Sequence, residues 1–199
     1  GREEWESDLK RQAGQDVQVC VCVCVCVCVC VCVCVFPSLS LALPLSVETN
    51  LLLPSLNAFQ GMTGLDRSQM RSISGQLISK LGIKTGSPDN PASALSGGNQ
   101  QKIVLGKWIH QNPSLFILDE PTRGVDVGAK SEVHRMIIEL AKQGSAVLLI
   151  SSELPEILSL SDRILVIAKG HVSGELAREE ANQEKLLKLS LPEEAKQSP

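Results

Sequence analysis

Leu95-Ser96-Gly97-Gly98-Asn99-Gln100-Gln101-Lys102 and, further along, Leu115-Phe116-Ile117-Leu118-Asp119-Glu120-Pro121-Thr122 decide how this chain is read. In the first stretch Ser96 is placed to cap a helix that continues through Ile103, Val104, Trp108 and Ile109. The two glycines let backbone N–H groups come close to an anion, and a helix N-terminus favours negative charge by about 0.3–1 kcal/mol. The second stretch is a short apolar strand that ends in paired carboxylates, Asp119 and Glu120. In parallel α/β sheets ligands lie beyond the carboxyl ends of the strands, which puts this pair at the functional edge. Each feature alone is weak, because a Ser-Gly-Gly start is an ordinary turn and apolar runs ending in acids are common.

Outward from these stretches the chain alternates helices and apolar runs. Asp66 to Leu81 has helical spacing, with Met70, Ile73, Leu77, Ile78 and Leu81 on one stripe. The segment from Gly82 to Ala94, with Gly86, Pro88 and Pro91, reads as loop. A helix around Lys130 to Gln143 carries Val133, Met136, Ile137 and Leu140 on its inner face, closed by Gly144. Ala146 to Ile150 and Ile164 to Ala168 are further continuous apolar runs. Such runs between amphipathic helices predict an α/β fold with a parallel sheet covered on both faces.

Composition narrows the class. The net charge of −3 over 199 residues, 3% aromatics and no tyrosine argue against nucleic acid as a partner. All eight cysteines alternate with valine between Cys20 and Cys34, which suits neither a disulfide framework nor a C-x-x-C metal site. A GT dinucleotide repeat read in frame gives this alternation, so residues 1–46 read as a translated repeat joined to a different coding segment. Residues 17–47 carry no charge until Glu48, long enough to span a membrane. Valine is a poor helix former, however, and Pro37 and Pro44 interrupt the run, so an aggregation-prone extended segment is expected instead. The organisation read here is a low-complexity, disordered segment over 1–46, a globular part over 47–177 and a polar tail over 178–199. His110, His134 and His171 stand apart and are read as ordinary surface residues, at a helix end, a helix surface and a hairpin-like turn.

With Gly124-Val125-Asp126 added, the two stretches resemble the signature loop, Walker B strand and D-loop of ABC-type ATPases, over about residues 47–177. Gly97 to Lys102, Lys107-Trp108, Pro121 to Lys130 and Ile150 to Glu156 are similar to bacterial sugar-import ATPases of the ribose, xylose and galactose type. In those proteins one polypeptide carries two nucleotide-binding domains, and the likeness is to the second. Asn50 to Leu56 resembles the entry to its helical subdomain. The implied fold is a partial P-loop NTPase-like nucleotide-binding domain: the helical subdomain plus the Walker B half of the parallel-sheet core.

The implied function is that of an ATP-binding and ATP-hydrolysing subunit, here a fragment, of an ABC-type monosaccharide importer. ATP and Mg²⁺ are its cofactors, with ATP sandwiched across a dimer of nucleotide-binding domains. The resemblance makes Asp119 the Mg²⁺ ligand, Glu120 the residue that acts on the attacking water, and Ser152 the occupant of the switch position. Ser96, Gly97, Gly98 and Asn99 would act on ATP held by the second domain, and Asp126 would cross the same interface. Membrane permease subunits are the implied partners, at the cytoplasmic face of the plasma membrane.

Two departures qualify the resemblance. The switch position usually holds a histidine, and Ser152 brings no cationic group to the γ-phosphate. The phosphate-gripping motif G-x-x-x-x-G-K-[ST] is absent, since neither Gly106-Lys107 nor Lys84-Thr85 fits it. Weak or no ATP hydrolysis by the isolated chain is therefore expected. The rival reading is a truncated or chimeric gene product with no activity of its own. A chromosome-maintenance or DNA-repair ATPase is disfavoured by the lack of heptads and basic patches.

Overall fold

The computed structural model describes residues 19–25, 41–61 and 64–191. In chain order the elements are β1 (Val19–Val25), α1 (Val47–Leu52), β2 (Gln60–Gly61), β3 (Gly64–Leu65), α2 (Arg67–Lys80) and α3 (Gly97–Ile109). They continue as β4 (Leu115–Asp119), α4 (Val127–Lys142), β5 (Ala146–Ile150), α5 (Leu154–Leu160), β6 (Arg163–Ala168), β7 (His171–Ala177) and α6 (Gln183–Ser190). The described residues form two compact units, one of residues 19–25, 114–121 and 137–191, the other of residues 41–61, 64–113 and 122–136. Among the described residues no helix is long and apolar enough to cross a membrane.

The first unit is built on a five-stranded sheet in the order β4-β5-β1-β6-β7. β4, β5, β1 and β6 run parallel, and β7 returns antiparallel to β6. The β6–β7 reversal passes through Lys169 and Gly170, both at positive φ, 50° and 80°. Two consecutive left-handed residues match the right-handed twist of the strands they join.

The apolar runs foreseen from sequence are strands, but they are covered unevenly. Phe116, Leu118, Val147, Leu149, Ile164 and Val166 are buried, whereas Ile117, Leu148, Ile150, Leu165 and Ile167 are only half-buried. Of the two faces expected to be covered, one is buried and the other is covered in part. A run of Ile, Leu and Val says that both faces tolerate burial, not that the chain supplies helices to bury both. α4 closes as expected: Gly144 sits at φ 93°, its N–H bonds Ala141 O at 2.9 Å, and Ser145 N–H reaches back to Leu140 O at 3.2 Å.

His134 is not a surface residue. It is 6% exposed, beside Val133, Ile137, Ile138, Leu140 and Ala141, which are also buried. The buried arc of α4 is wider than the stripe read from sequence, because His134, Ile138 and Ala141 stand at helical spacing and form its second edge.

The second unit packs α1 against α2 and α3. Leu51, Leu52, Phe59, Met70, Ile103, Val104 and Leu105 form its core. The helix read from Asp66 to Leu81 is α2, and Asp66 caps it by accepting from Gln69 N–H at 2.9 Å. Its buried stripe is Met70, Ser74 and Leu77, with Ile73 and Ile78 half-buried. Ser74 occupies an inward position because its hydroxyl donates to Glu48 Oε2 at 3.0 Å, so each buried polar group satisfies the other.

The segment before α1 is tied down by Asn50, 1% exposed, which accepts from Ala42 N–H at 2.9 Å and donates to Ala42 O at 3.0 Å. Lys102 on α3 is almost wholly buried; its ammonium donates to Gly82 O at 2.7 Å and pairs with the Glu132 carboxylate.

Candidate functional site

In the first unit the strand ends gather Asp119, Glu120, Ser151 and Ser152. The parallel register sets Asp119 beside Ile150, so the residues that follow β4 and β5 emerge together at the sheet's carboxyl edge. Glu120 leaves the strand at φ 48°, a left-handed conformation that costs a non-glycine residue of order 1–3 kcal/mol. Two bonds hold it there. Its N–H donates to Ile150 O at 2.8 Å, and its Oε1 accepts from Ser152 N–H at 2.8 Å. Ser151, 1% exposed, uses its hydroxyl to accept from Glu153 N–H at 3.0 Å.

The Ser152 backbone therefore steadies the Glu120 carboxylate, a role its side-chain identity did not reveal. Its hydroxyl remains a neutral group. Asp119 is half-buried at the strand tip. Among the described residues no group of three or more His, Cys, Asp or Glu could hold a metal. A single carboxylate fits Mg²⁺, which commonly takes one or two carboxylates and completes its shell with waters and phosphate oxygens.

In the second unit Ser96 has the extended geometry of an N-cap, φ −62° and ψ 155°, without a side-chain bond to the helix amides. Its Oγ accepts instead from Asn99 Nδ2 at 2.9 Å, while Asn99 Oδ1 accepts from Lys84 N–H at 2.8 Å. Asn99 thus anchors the first turn of α3 to the preceding loop. Because its own cap does not use them, the first amides of the helix keep their capacity to donate outward.

Ser96 and Gly97 are exposed, and a Cβ on Gly97 would meet nothing within 4 Å. Gly98 is buried, and a Cβ there would lie 2.5 Å from the Ala129 Cβ. Asp126 caps α4 by accepting from Ala129 N–H at 2.9 Å through Oδ1. Its Oδ2 lies 4.0 Å from the position a Gly98 Cβ would take. The two glycines therefore do different work: Gly97 leaves space open to solvent, and Gly98 lets α3 and α4 approach. Gly98→Ala is expected to force the two first turns apart and to cost about 1–3 kcal/mol of stability in urea denaturation.

The candidate residues thus fall into two sets, Asp119, Glu120 and Ser152 in one unit and Ser96, Gly97, Gly98, Asn99 and Asp126 in the other. Sequence reasoning missed the Lys102–Glu132 pair and the Lys84–Asn99 bond. Both join residues far apart in the chain, and only the spacing of Lys102 on the inner arc of α3 carried a signal.

A five-stranded, mainly parallel sheet with acids at its carboxyl edge in one unit, and a helix opened by Ser-Gly-Gly in the other, define an ATP-binding-cassette type of P-loop NTPase fold. Solved structures agree. A nucleotide-free ATP-binding cassette from an ABC transporter superposes with a TM-score of 0.64 at 20% identity, covering 80% of this chain and 68% of that one. A bacterial ABC transporter cassette solved as a dimer gives 0.62 at 19% identity, covering 74% and 62%.

Residues 33–123 match the ABC transporter family model. The ribose import ATP-binding protein of Bacillus licheniformis is 50% identical over 145 residues, 73% of this chain and 29% of that protein. A ribose import ATP-binding protein of Rubrobacter xylanophilus is 51% identical over 144 residues, 72% of this chain and 28% of that protein. The chain therefore carries part of an ABC transporter nucleotide-binding domain, matched over residues 33–123. It spans less than a third of the length of these relatives.

Proposed function

We propose that this chain is the signature-turn and Walker B portion of the ATP-binding subunit of an ABC-type monosaccharide importer. It would work at the cytoplasmic face of the plasma membrane, paired with a second nucleotide-binding domain and docked on permease subunits. Residues 47–177 are the partial domain in this reading.

The observation that carries it is the exposed turn at Ser96 and Gly97, which opens a 13-residue helix with free space around Gly97. Bound Mg-ATP supplies the scissile phosphoanhydride bond. This chain's own residues then have three tasks. The amides of the 97–99 turn and the Ser96 hydroxyl offer hydrogen bonds to phosphate oxygens, backed by the helix dipole. Asp119 offers one carboxylate to the cation. Glu120, held by the Ser152 amide, is placed to orient or accept a proton from the attacking water.

The tasks fall to two different sites: Asp119 and Glu120 face a site for which this chain carries no phosphate-gripping loop, whereas the 97–99 turn serves the opposite site, whose phosphate cradle and acids come from the partner domain, and only that second site is completed. The test is ATP turnover by the purified chain, alone and mixed with a nucleotide-binding domain that has an intact phosphate loop. No turnover alone and stimulated turnover in the mixture are expected. Turnover by the chain alone that disappears in Glu120→Gln would overturn this reading.

One observation favours the rival, a product with no activity of its own: no glycine lies between Gly14 and Gly61, so no glycine-lined turn follows β1. Under that rival the mixture turns over no faster than the partner domain alone.

A further inference from the structure

β1 occupies the centre of the sheet in the first unit. Val19, Cys20, Val21 and Cys22 stand opposite Val147, Leu148, Leu149 and Ile150 of β5, and Cys20 to Val25 stand opposite Arg163 to Ala168 of β6. β5 and β6 are joined through α5 and do not pair with each other. They leave between them a slot one strand wide, about 9–10 Å across from the normal inter-strand spacing, with backbone groups facing it from both sides. Among the described residues no other strand is available for it. A central parallel strand is ordinarily a β-branched apolar run, and the tract supplies valine at every second position without a single charge.

The tract also has a property that ordinary strands lack. From Val19 to Val35 it is an unbroken Val-Cys repeat, so a shift by two residues reproduces the same sequence against the same neighbours. Seven-residue stretches beginning at Val19, Val21, Val23, Val25, Val27 and Val29 are identical. In a strand whose side chains alternate, a one-residue slip changes every face, whereas a two-residue slip changes none. Nothing within the repeat therefore favours one of these registers over another.

We propose that the space between β5 and β6 is an acceptor site for an extended apolar strand, and that its occupant is this chain's own Val-Cys tract, docked in any of several registers two residues apart. The tract is then a working part of the fold, a surrogate for a central strand, and the sheet needs its alternation and length, not the particular residues 19–25. This inference concerns the sheet alone and does not rest on ATP chemistry.

The experiment is thermal melting of the full chain under reducing conditions without nucleotide, with light scattering to count chains. Three variants are compared: deletion of residues 19–22, deletion of residues 27–30, and replacement of residues 19–34 by a Gly-Ser repeat of the same length, which keeps the reach of the connection. Both four-residue deletions are expected to melt within about 2 °C of the parent, and the Gly-Ser chain to melt at least about 10 °C lower or without a cooperative transition. The parent is expected to be a monomer.

A Gly-Ser chain that melts like the parent overturns the strand role. A deletion of 19–22 that falls as far as the Gly-Ser chain, while deletion of 27–30 does not, overturns the interchangeable registers. A parent dimer that becomes monomeric only in the Gly-Ser chain overturns the choice of occupant, since the strand would then come from a second copy. Because no nucleotide is present, each outcome is independent of whether the mixture with an intact partner domain hydrolyses ATP.

Discussion

Gly97→Asp is expected to leave the melting temperature of the chain within about 2 °C of the parent, yet to lower the turnover of the mixed dimer by about 10²–10³-fold. The two effects separate because of where Gly97 lies. A Cβ built there meets nothing within 4 Å, so a side chain enters without displacing the fold. Glycine is also a poor helix residue, and an aspartate in the first turn of α3 interacts favourably with the helix dipole by about 0.3–1 kcal/mol. Stability is therefore held or slightly raised. The same carboxylate points charge into the space where the 97–99 amides would meet phosphate, replacing attraction by repulsion. Loss of one aligned donor to a developing oxyanion costs about 10²–10³ in rate, and an added like charge does at least as much. Glu120→Gln in this chain is the control. It should change turnover of the mixture less than about twofold if, as proposed, the site that turns over takes its acids from the partner domain. If Gly97→Asp melts normally and turnover is unchanged, the 96–98 turn does not act on nucleotide.

Much of the fold was legible because its signals are local. The runs at 115–118, 146–150 and 164–168 are strands, the spacing from Asp66 to Leu81 is α2, and Gly144 ends α4. The candidate site was legible at the level of position: strand-end acids and a glycine-lined helix start are local patterns. What escaped reading depends on distant partners. A period of two in the Val-Cys tract says extended, but says nothing about which strands will flank it, and its central place follows only from the gap left by β5 and β6. Predictions for residues 1–18, 26–40 and 192–199, including disorder and the proline-interrupted run, lie outside the described residues. His134 was misplaced because a histidine beside Val133 reads as polar surface until the width of the buried arc is known. Lys102 was passed over for a similar reason, since a lysine four positions after glycines looks solvated unless a carboxylate waits inside.

That carboxylate makes Glu132→Leu the substitution with the largest expected effect on stability, a loss of about 3–5 kcal/mol in urea denaturation. The Lys102 side chain is 5% exposed, and its ammonium contacts the Glu132 carboxylate and Gly82 O, the latter at 2.7 Å. Removing the carboxylate leaves a buried cation with a single carbonyl for compensation. The reverse truncation, Lys102→Met, should cost less, because Glu132 is 37% exposed and can turn to water. In the double variant the buried charge is gone and an apolar pair fills the space, so at least half of the Glu132→Leu loss should return; strict additivity of the single costs would show that the two groups do not interact. Acid titration gives an independent reading. The hydrogen bond from Lys102, with the charges of Lys102, Lys84 and Arg135, holds the Glu132 carboxyl below its ordinary value against an opposing effect of burial. A carboxyl lowered in the folded state binds protons more readily when unfolded, so its contribution is complete above the unfolded value of about 4.3 and is lost as pH falls through the lower folded value. The parent should therefore keep its stability advantage over Glu132→Leu at pH 7 and begin to lose it as pH falls below about 4.3. Asp89, held low by Arg71, is present in both chains and cancels in the difference. A gap between parent and variant that stays constant from pH 7 to about pH 3 would mean that packing of the Glu132 stem, not its charge, holds Lys102 in place.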